Sequence, residues 1–364
     1  MRIAIITLHS VINFGSALQA FALNHFLTAN GYNVVTIDYR PTVNLKIFGL
    51  VDKKIARNIL RHQVAKILFF MQLKKVKRKF ELFIDQNITL SEKRYTEYKT
   101  LQNTPPAADL YITGSDQLWN GMFPCGNDPA YYLQFVKEGK KMSYAVSLGR
   151  DEITNGELLE VKQRILDFDT VSVREISGKE QLESVGLKNV CHVLDPVFLL
   201  DKQEYLHLAK NTAYSNYLLV YAEKDERVNN LAIFIADKLK LKIISIGGMQ
   251  KKCNSDIHDR TADPVDFLSY IANATFILTG SFHCVAFSLI MNKNFAVVLP
   301  SVASARLKDI LGIVGLTERI VNDLSEADMI LNPIDYSKVT PLMNKHINRS
   351  RMYLLDTVSN FKST

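Results

Sequence analysis

The amino-acid sequence predicts an α/β fold of two Rossmann-like domains that face each other across a cleft, with a basic helical insertion in the first domain. Its 364 residues exceed the roughly 100–200 of a typical single domain. Short apolar runs alternate with helical patterns in two successive series, as in parallel α/β sheets. We expect the domains at residues 1–200 and 201–335, with a helix over 336–364 that packs back on the first.

The first series begins with the strand MRIAIITL, a loop that contains Gly15, and a helix that ends at Gly31. The strand NVVTIDY completes a βαβ unit, which indicates a parallel sheet with its working loops at the carboxyl ends of the strands. Further strands are expected in DLYITGS, KMSYAVSL, TVSVRE and VCHVLDP, with an acidic helix near residues 157–167.

The second series starts at YLLVYA, after the segment DPVFLLDKQEYLHL, which we interpret as the interdomain linker. Strands are predicted in LKIISIGG, TFILTG and FAVVLP. Helices are predicted at about residues 228–239, 264–271, 283–291, 304–312 and 342–361. Two such series favour a GT-B-type arrangement.

The net charge of +7 is concentrated in one segment. Residues 46–80 hold eleven Lys and Arg against one acid, Asp52, with apolar residues between them at helical spacing. Such a helix suits an anionic membrane surface or a lipid-linked substrate, at about 1 kcal/mol per cation. The alternative is a solvated insertion that packs on its domain through the apolar stripe. Aromatic residues do not alternate regularly with the cations, so no nucleic acid partner is expected.

The composition favours a soluble, reduced protein. Its four cysteines show neither a CxxC pair nor a metal-ligand spacing, so no metal site is expected, and no motif calls for a cofactor. No secretory leader follows Met1, and no apolar run reaches the ~20 residues of a spanning helix. We therefore expect a cytoplasmic protein, peripheral at the inner face of the membrane if the insertion binds lipid.

One histidine directly follows a predicted strand. In TFILTGSFHCVAFSLI, the strand leads through residues 279–281 into a helix whose first turn contains His283. A helix N-terminus attracts phosphate or carboxylate, and a histidine there can exchange a proton with the bound anion; a capping histidine is the alternative. Arg174 ends another strand, where it either pairs with Glu175 or a neighbour, or binds an anion.

Two loops of the first domain place polar groups at strand ends. NFGSALQAF lets a ligand approach the backbone at Gly15, but it lacks the GxGxxG of a dinucleotide site. ITGSDQLWN offers Ser115, Asp116 and Asn120 as hydrogen-bonding groups. Trp119, the only tryptophan, either packs in the core, as a lone tryptophan commonly does, or stacks on a sugar ring; its polar neighbours just past a strand end favour the sugar.

Six segments between residue 13 and about residue 321 resemble the polysaccharide pyruvyl transferase family: NFGSALQAFAL, ITGSDQLWN, SVREISGKEQLESVG, LDPVFLL, TGSFHCVAFSLIMNKNFAVV and SARLKDILGIVGLTERIV. The resemblance implies a GT-B-like fold in which the second domain, residues 201–335, carries the donor site. It also implies an enzyme that transfers the pyruvyl group of phosphoenolpyruvate to two hydroxyls of a sugar. The product would be a cyclic ketal on a capsule or exopolysaccharide, or on its polyprenyl-diphosphate-linked precursor.

The resemblance makes His283 the acid–base group and Arg174 a ligand of the donor. Family members often carry Arg-Leu before this histidine, where this chain has Ser281-Phe282, so one expected cation is absent. Arg306 is our candidate to replace it, with Arg319 as the weaker one. Asp116 is the expected base toward the acceptor. The expected donor site is Arg174, Ser281, Phe282, His283 and Arg306, and the expected acceptor site is Asn13, Ser115, Asp116, Trp119 and Asn120.

Two other functions fit the same pattern. A GT-B glycosyltransferase that uses a nucleotide-sugar donor is the first, because a fold does not determine a chemistry. A nucleotide sugar, and not phosphoenolpyruvate, would then stabilise the protein against heat. A glycan-binding protein without catalysis is the second. It would bind glycans without donor turnover, and His283→Ala would not affect that binding.

Overall fold

Parallel β-sheet forms the frame of both domains in the computed structural model, which describes residues 1–41, 63–248, 250–300 and 304–363. The strands of the first sheet lie in the order 3-2-1-4-5. Single bridges at Met142–Thr170 and Val146–Val173 attach a further pair, β6 and β7. These strands are β1 (Arg2–Ile6), β2 (Asn33–Tyr39), β3 (Leu90–Tyr95), β4 (Leu110–Thr113), β5 (Lys140–Ser143), β6 (Val171–Val173) and β7 (Val190–His192).

The second sheet repeats this topology, with the order 10-9-8-11-12. Its strands are β8 (Tyr217–Tyr221), β9 (Lys242–Ile246), β10 (Ile257–Asp259), β11 (Phe276–Thr279) and β12 (Asn294–Val297). In both sheets the first strand of the series lies in the middle and the chain crosses over on either side, which is the Rossmann arrangement. The predicted α/β class is confirmed.

Helices cover the faces of both sheets. They are α1 (Phe14–Ala29), α2 (Gln63–Asn87), α3 (Tyr98–Asn103), α4 (Asn155–Arg164), α5 (Ile176–Ser184), α6 (Lys202–Leu208), α7 (Glu226–Leu239), α8 (Pro264–Asn273), α9 (Phe282–Ile290), α10 (Ala305–Val314), α11 (Ala327–Ile330) and α12 (Tyr336–Ser363). Short 3₁₀ turns lie at Pro124–Asn127, Pro129–Tyr132, Pro196–Leu199, Thr317–Arg319 and Leu324–Glu326.

Helix α1 lies between the two domains and is buried on nearly every side. A helix that is apolar all round is expected to be enclosed by protein, and α1 contacts α2, α8 and α9. Phe14 at its start forms the centre of an aromatic cluster. Its ring lies 5.6 Å from Phe80, 4.7 Å from Phe267 and 5.4 Å from Tyr221, measured between ring centroids.

Part of the predicted basic insertion lies in α2, and residues 46–62 lie outside the described residues. The helix continues past Phe80 to Asn87, and its apolar residues Val76, Phe80, Phe83 and Ile84 are buried in the protein. Lys79 reaches the second domain, where its Nζ donates to the Thr261 carbonyl at 3.0 Å and to Asp266 at 2.8 Å. Helix α2 therefore contacts both domains. In the described ranges, no helix combines the length and apolarity that crossing a membrane requires.

The segment predicted as the interdomain linker joins β7 to β8, and it is packed into the core rather than exposed. Asp195 is fully buried, and the 3₁₀ turn Pro196–Leu199 packs against α1, α9 and α12. The Asp195 carboxylate accepts from the Val197 N–H at 3.1 Å, which fixes the start of the turn. Its apolar side chains lie inward because this is where the two domains meet.

Helix α12 contacts elements of both sheets. Near its start, the Tyr336 hydroxyl donates to the Lys293 carbonyl at 2.6 Å. Further along, the Ser350 hydroxyl accepts from the Leu194 N–H at 2.9 Å, and Leu354 and Val358 are fully buried. The helix thus begins beside β12 and runs to the end of the first sheet.

Candidate active site

Residues from the carboxyl edges of both sheets meet around His283. This histidine lies in the first turn of α9, directly after β11, and is 8 % exposed. The N-cap residue Ser281 makes no side-chain capping bond, so it leaves the first N–H groups of α9 available. The imidazole packs on Gly15 of α1 so closely that a Cβ at Gly15 would stand 1.9 Å from Nδ1. Only glycine fits opposite this ring.

A buried carboxylate faces the other side of the imidazole. Asp195 Oδ2 lies 3.6 Å from His283 Nε2, and it also accepts from Arg174 Nη1 at 2.7 Å and from the Ser115 hydroxyl at 2.9 Å. Burial would raise the pKa of Asp195, but His283 and Arg174 hold that pKa well below its usual range. The ionised carboxylate therefore lies directly beside Nε2 of the imidazole. This role of Asp195 was not predicted, and its signal in the sequence is the Asp-Pro pair at the end of the predicted strand VCHVLDP.

Arg174 forms the buried ion pair that was one of its two predicted alternatives. Its Nε donates to Glu175 at 3.2 Å, and its guanidinium lies 4.7 Å from the centroid of the Phe282 ring. Glu175 also accepts from the Ser147 hydroxyl at 2.6 Å. Among the described residues, Arg174 Nη2 has no hydrogen-bond partner. Two carboxylates already neutralise this guanidinium, and one of its nitrogens remains free.

Among the residues that the structure describes, Arg306 is a cation without an ion-pair partner. It lines a cleft of about 360 Å³ together with Tyr221, Gly247, Gly280 and Ser281. Within the described part of the chain its Nε is buried without a hydrogen-bond partner, and its guanidinium forms no ion pair. Burial, and then the charge of Arg174, lower the pKa of Arg306 below its ordinary value. A desolvated, unpaired guanidinium is unfavourable, and a bound anion would offset that cost.

Asp116 has a backbone conformation that few non-glycine residues adopt. Its φ of 83° lies in the left-handed region, and its carbonyl accepts from the Leu118 N–H at 2.7 Å and from the Ser147 N–H at 2.9 Å. Its carboxylate accepts from the Ser16 hydroxyl and from the Gln117 N–H. Such strain persists where surrounding bonds enforce it, and it is concentrated at functional sites. The loop after β4 thus holds this carboxylate against the start of α1.

The structure corrects most of the predicted acceptor site. Trp119 is only 1 % exposed, stacks on Tyr132 and donates from Nε1 to the Tyr131 carbonyl, so it offers no face to a sugar. Ser115 is fully buried beneath Asp195. Asn120 is buried and bonded to its own loop. These predictions failed because polar residues of the ITGSDQLWN loop bond to one another and enclose the indole.

Two further predicted residues hold local structure. Asn13 is half-buried, and its Oδ1 accepts from the Ser16 N–H at 3.1 Å, which caps α1. Arg319 is buried and donates to the carbonyls of Ile330 and Asn332, so it does not supply the absent cation. In the described ranges there is no cluster of three or more His, Cys, Asp or Glu that could hold a metal ion.

Comparisons with solved structures show the fold alone, because identities are low. The UDP-GlcNAc 2-epimerase of Methanocaldococcus jannaschii, in complex with UDP-GlcNAc and UDP, is 14 % identical with a TM-score of 0.53; the match covers 99 % of this chain and 100 % of that one. The UDP-GlcNAc 2-epimerase of Neisseria meningitidis, bound to UDP-GlcNAc, is 10 % identical with a TM-score of 0.56, over 99 % and 100 % of the two chains. The spinosyn forosaminyltransferase SpnP is 9 % identical with a TM-score of 0.50, over 100 % of both chains. These are GT-B proteins, so the GT-B-like architecture is confirmed.

Comparison with sequence families is more specific. No curated protein matches the chain. Residues 13–301, most of its length, match the family described as polysaccharide pyruvyl transferase. The segment includes Gly15, Asp116, Arg174, Asp195 and His283, which meet around one centre in the structure. The chain belongs to the polysaccharide pyruvyl transferase family.

Proposed function

We propose that the protein is a ketal pyruvyltransferase that moves the pyruvyl group of phosphoenolpyruvate onto two hydroxyls of a sugar, in a surface polysaccharide or its lipid-linked precursor. The main observation behind the proposal is the setting of His283. It lies at a helix N-terminus, beside the ionised Asp195 and near a cleft that Arg306 lines. Family membership supports a transferase; the donor and the acceptor are our inference.

The cleft suits an anionic donor. Phosphoenolpyruvate carries roughly three negative charges, which a site has to meet with cations or directed N–H groups. Within the described ranges Arg306 has no ion-pair partner, and the N-cap residue of α9 provides no side-chain cap for its first N–H groups. Lys252 also lines the cleft. Arg174 contributes less than predicted because Asp195 and Glu175 already neutralise it.

The proposed reaction requires protonation of the methylene carbon of the donor and the addition of two sugar hydroxyls to C2. His283, which lies beside the Asp195 carboxylate, gives its proton to the methylene carbon of the donor, which makes C2 electrophilic. A sugar hydroxyl then adds to C2, and Asp116 accepts its proton. The C2–O bond to phosphate breaks and phosphate leaves with the electron pair. The second hydroxyl adds to C2 and closes the ketal, and the released phosphate takes its proton. Asp116 then gives the proton that it accepted to solvent and His283 takes one up, so that both groups return to their starting states.

We further propose that α2 holds the enzyme at an anionic membrane surface, which would bring it to a lipid-linked acceptor in the cytoplasm. Four cations on the described part of this helix are exposed: Lys74, Lys75, Lys77 and Arg78. Reversing their charges is expected to abolish binding to vesicles that contain anionic lipid. The matched control reverses four exposed cations of α12: Lys338, Lys345, Arg349 and Lys362. Equal binding by the α2 variant and the wild type would remove this part of the proposal.

Phosphate release from phosphoenolpyruvate tests the central reaction. The assay uses a panel of galactosides, glucosides and N-acetylmannosaminides, with the wild type, His283→Ala and, as control, the exposed His207→Ala. Acceptor-dependent release that only His283→Ala loses supports the proposal. Absence of release with every acceptor, together with no thermal shift from phosphoenolpyruvate, would reject it. A thermal shift with a nucleotide sugar would then favour a glycosyltransferase.

A further inference from the structure

Helix α10, which contains Arg306, is capped by the other domain. Its N-cap residue Ser304 has helical backbone angles and makes no side-chain capping bond. Instead, the carboxylate of Asp151, from the loop between β5 and α4, accepts from the Ser304 hydroxyl at 2.7 Å and from the Ala305 N–H at 2.8 Å. A residue of the first domain thus accepts the hydrogen bond from the first turn of α10 that the side chain of the N-cap residue ordinarily accepts.

A second carboxylate makes the converse contact. Helix α5 of the first domain starts at Ile176, and its N-cap residue Glu175 makes no side-chain capping bond. Asp309 of α10 supplies the acceptor, at 3.0 Å from the Ile176 N–H. The two domains therefore exchange capping carboxylates. This exchange fixes α10 against the first domain at both its first and its second turn.

The first turn of α10 determines where the Arg306 guanidinium lies. Arg306 directly follows Ala305, and the N–H of Ala305 donates to the Asp151 carboxylate. In the described part of the chain the guanidinium has no counter-ion of its own, so its place depends on the backbone that bears it. Burial would raise the pKa of Asp151, but hydrogen bonds from Ala305 and Ser304 keep it below its ordinary value. The carboxylate is therefore ionised at neutral pH, when it caps most strongly.

We propose that Asp151 is a positioning residue that holds α10 so that Arg306 faces the donor anion. Asp151 itself is exposed at the domain boundary, whereas Arg306 lines the cleft. The inference rests on the proposed function, because it assumes an anionic donor in that cleft. Through Asp151, the first domain would thus contribute to donor recognition, in addition to the donor-site residues of the second domain.

Steady-state kinetics separate this role from a general structural one. Asp151→Ala is expected to raise KM for phosphoenolpyruvate about tenfold, equivalent to about 1.4 kcal/mol, while kcat stays within about twofold. Asp151→Asn should restore most of the lost affinity, because Asn caps helices about as well as Asp. The matched control is the exposed neighbour Glu152→Gln, which should match the wild type. An unchanged KM in Asp151→Ala would overturn the proposal.

A double-mutant cycle tests whether Asp151 acts through Arg306. In an Arg306→Met background, Asp151→Ala is expected to weaken donor binding by no more than about twofold, because the group that it positions is already gone. A full tenfold loss in that background would show that Asp151 acts elsewhere, and would refute its assigned role.

Amide exchange keeps this test independent of the proposed reaction. If the wild type does not turn over phosphoenolpyruvate, the proposed function fails, and inorganic phosphate serves as the anion probe. Phosphate should then slow exchange at the start of α10 in the wild type and in Glu152→Gln, but not in Asp151→Ala or Arg306→Met. Equal protection by phosphate in the wild type and Asp151→Ala would contradict the positioning role, whatever the donor.

Discussion

Gly15→Ala tests the contact between the two domains at the centre of the site. The added Cβ would lie 1.9 Å from His283 Nδ1, 2.3 Å from Cγ and 2.5 Å from Cε1. The closest of these distances, 1.9 Å, falls 1.5 Å short of the 3.4 Å of ordinary contact. The obstructing atoms belong to a ring that is itself packed against protein. Either the imidazole or α1 therefore has to move by more than 1 Å, about the displacement known to cost 100-fold in rate.

The expected effects on activity and on stability differ in size. Overpacking at one buried contact costs about 1–3 kcal/mol, so the variant should fold, with a lower midpoint in urea. Acceptor-dependent phosphate release should fall about 100-fold, because His283 no longer faces the donor. Both quantities are measured on one preparation, so misfolding and displacement of the imidazole can be told apart.

The same substitution at another glycine provides the control. Gly156 lies in α4, and a Cβ there would meet nothing within 4 Å. Gly156→Ala should therefore leave activity unchanged and stabilise the protein slightly, by about 0.4–1 kcal/mol. If Gly15→Ala is folded and as active as Gly156→Ala, the imidazole does not work in the position that the structure shows.

Two further predictions concern charges that join distant parts of the chain. Asp195→Asn removes one of the two carboxylates that pair with the buried Arg174, and it should lower the free energy of unfolding in urea by about 3–5 kcal/mol. A decrease of less than about 1 kcal/mol would contradict the buried ion pair. The pKa of Asp195 is lowered in the folded protein, so its ionised carboxylate stabilises the fold at neutral pH, and this stabilisation is lost as pH falls below the ordinary 3.8. The free energy of unfolding should therefore decrease less steeply with falling pH in Asp195→Asn than in the wild type. Lys79→Met should cost about 1 kcal/mol by removing the bond to Asp266, whereas the exposed Lys75→Met should cost nothing measurable. Burial would lower the pKa of Lys79, but Asp266 and Asp263 raise it. The ion pair therefore stabilises the fold below the ordinary pKa of 10.5, and this stabilisation is lost as pH rises above that value. Equal stability of the two lysine variants would refute the Lys79–Asp266 ion pair.

Strands were predictable from sequence where the sheet is buried on both faces. The central strands β1 and β8 have continuous apolar runs, RIAII and YLLVY, as expected for parallel strands covered by helices. The edge strands β3 and β10 were not predicted. The first reads LSEKRY and the second is only three residues long, so neither has an apolar pattern. Edge strands bury less surface, and their sequences are correspondingly less constrained.

Individual site residues were easier to predict than their partners. His283 and Asp116 each follow a strand, which is a local pattern, and both lie at the predicted sheet edges. Asp195 was missed because its role depends on groups far away in the sequence, Arg174 and His283. Trp119 was assigned to the surface because its neighbours are polar, and nothing local shows that those neighbours bond among themselves.

The path of α12 has a consequence for how the protein folds during synthesis. The Ser350 hydroxyl holds the Leu194 N–H, and Leu354 and Val358 fill a core that includes residues of the first sheet. These residues leave the ribosome only after the whole second sheet has been made. The first domain therefore emerges with an open apolar surface, and it can complete its packing only when translation has passed residue 358. Silent changes that slow the ribosome between the two sheets would lengthen this exposed interval and favour aggregation of the nascent chain.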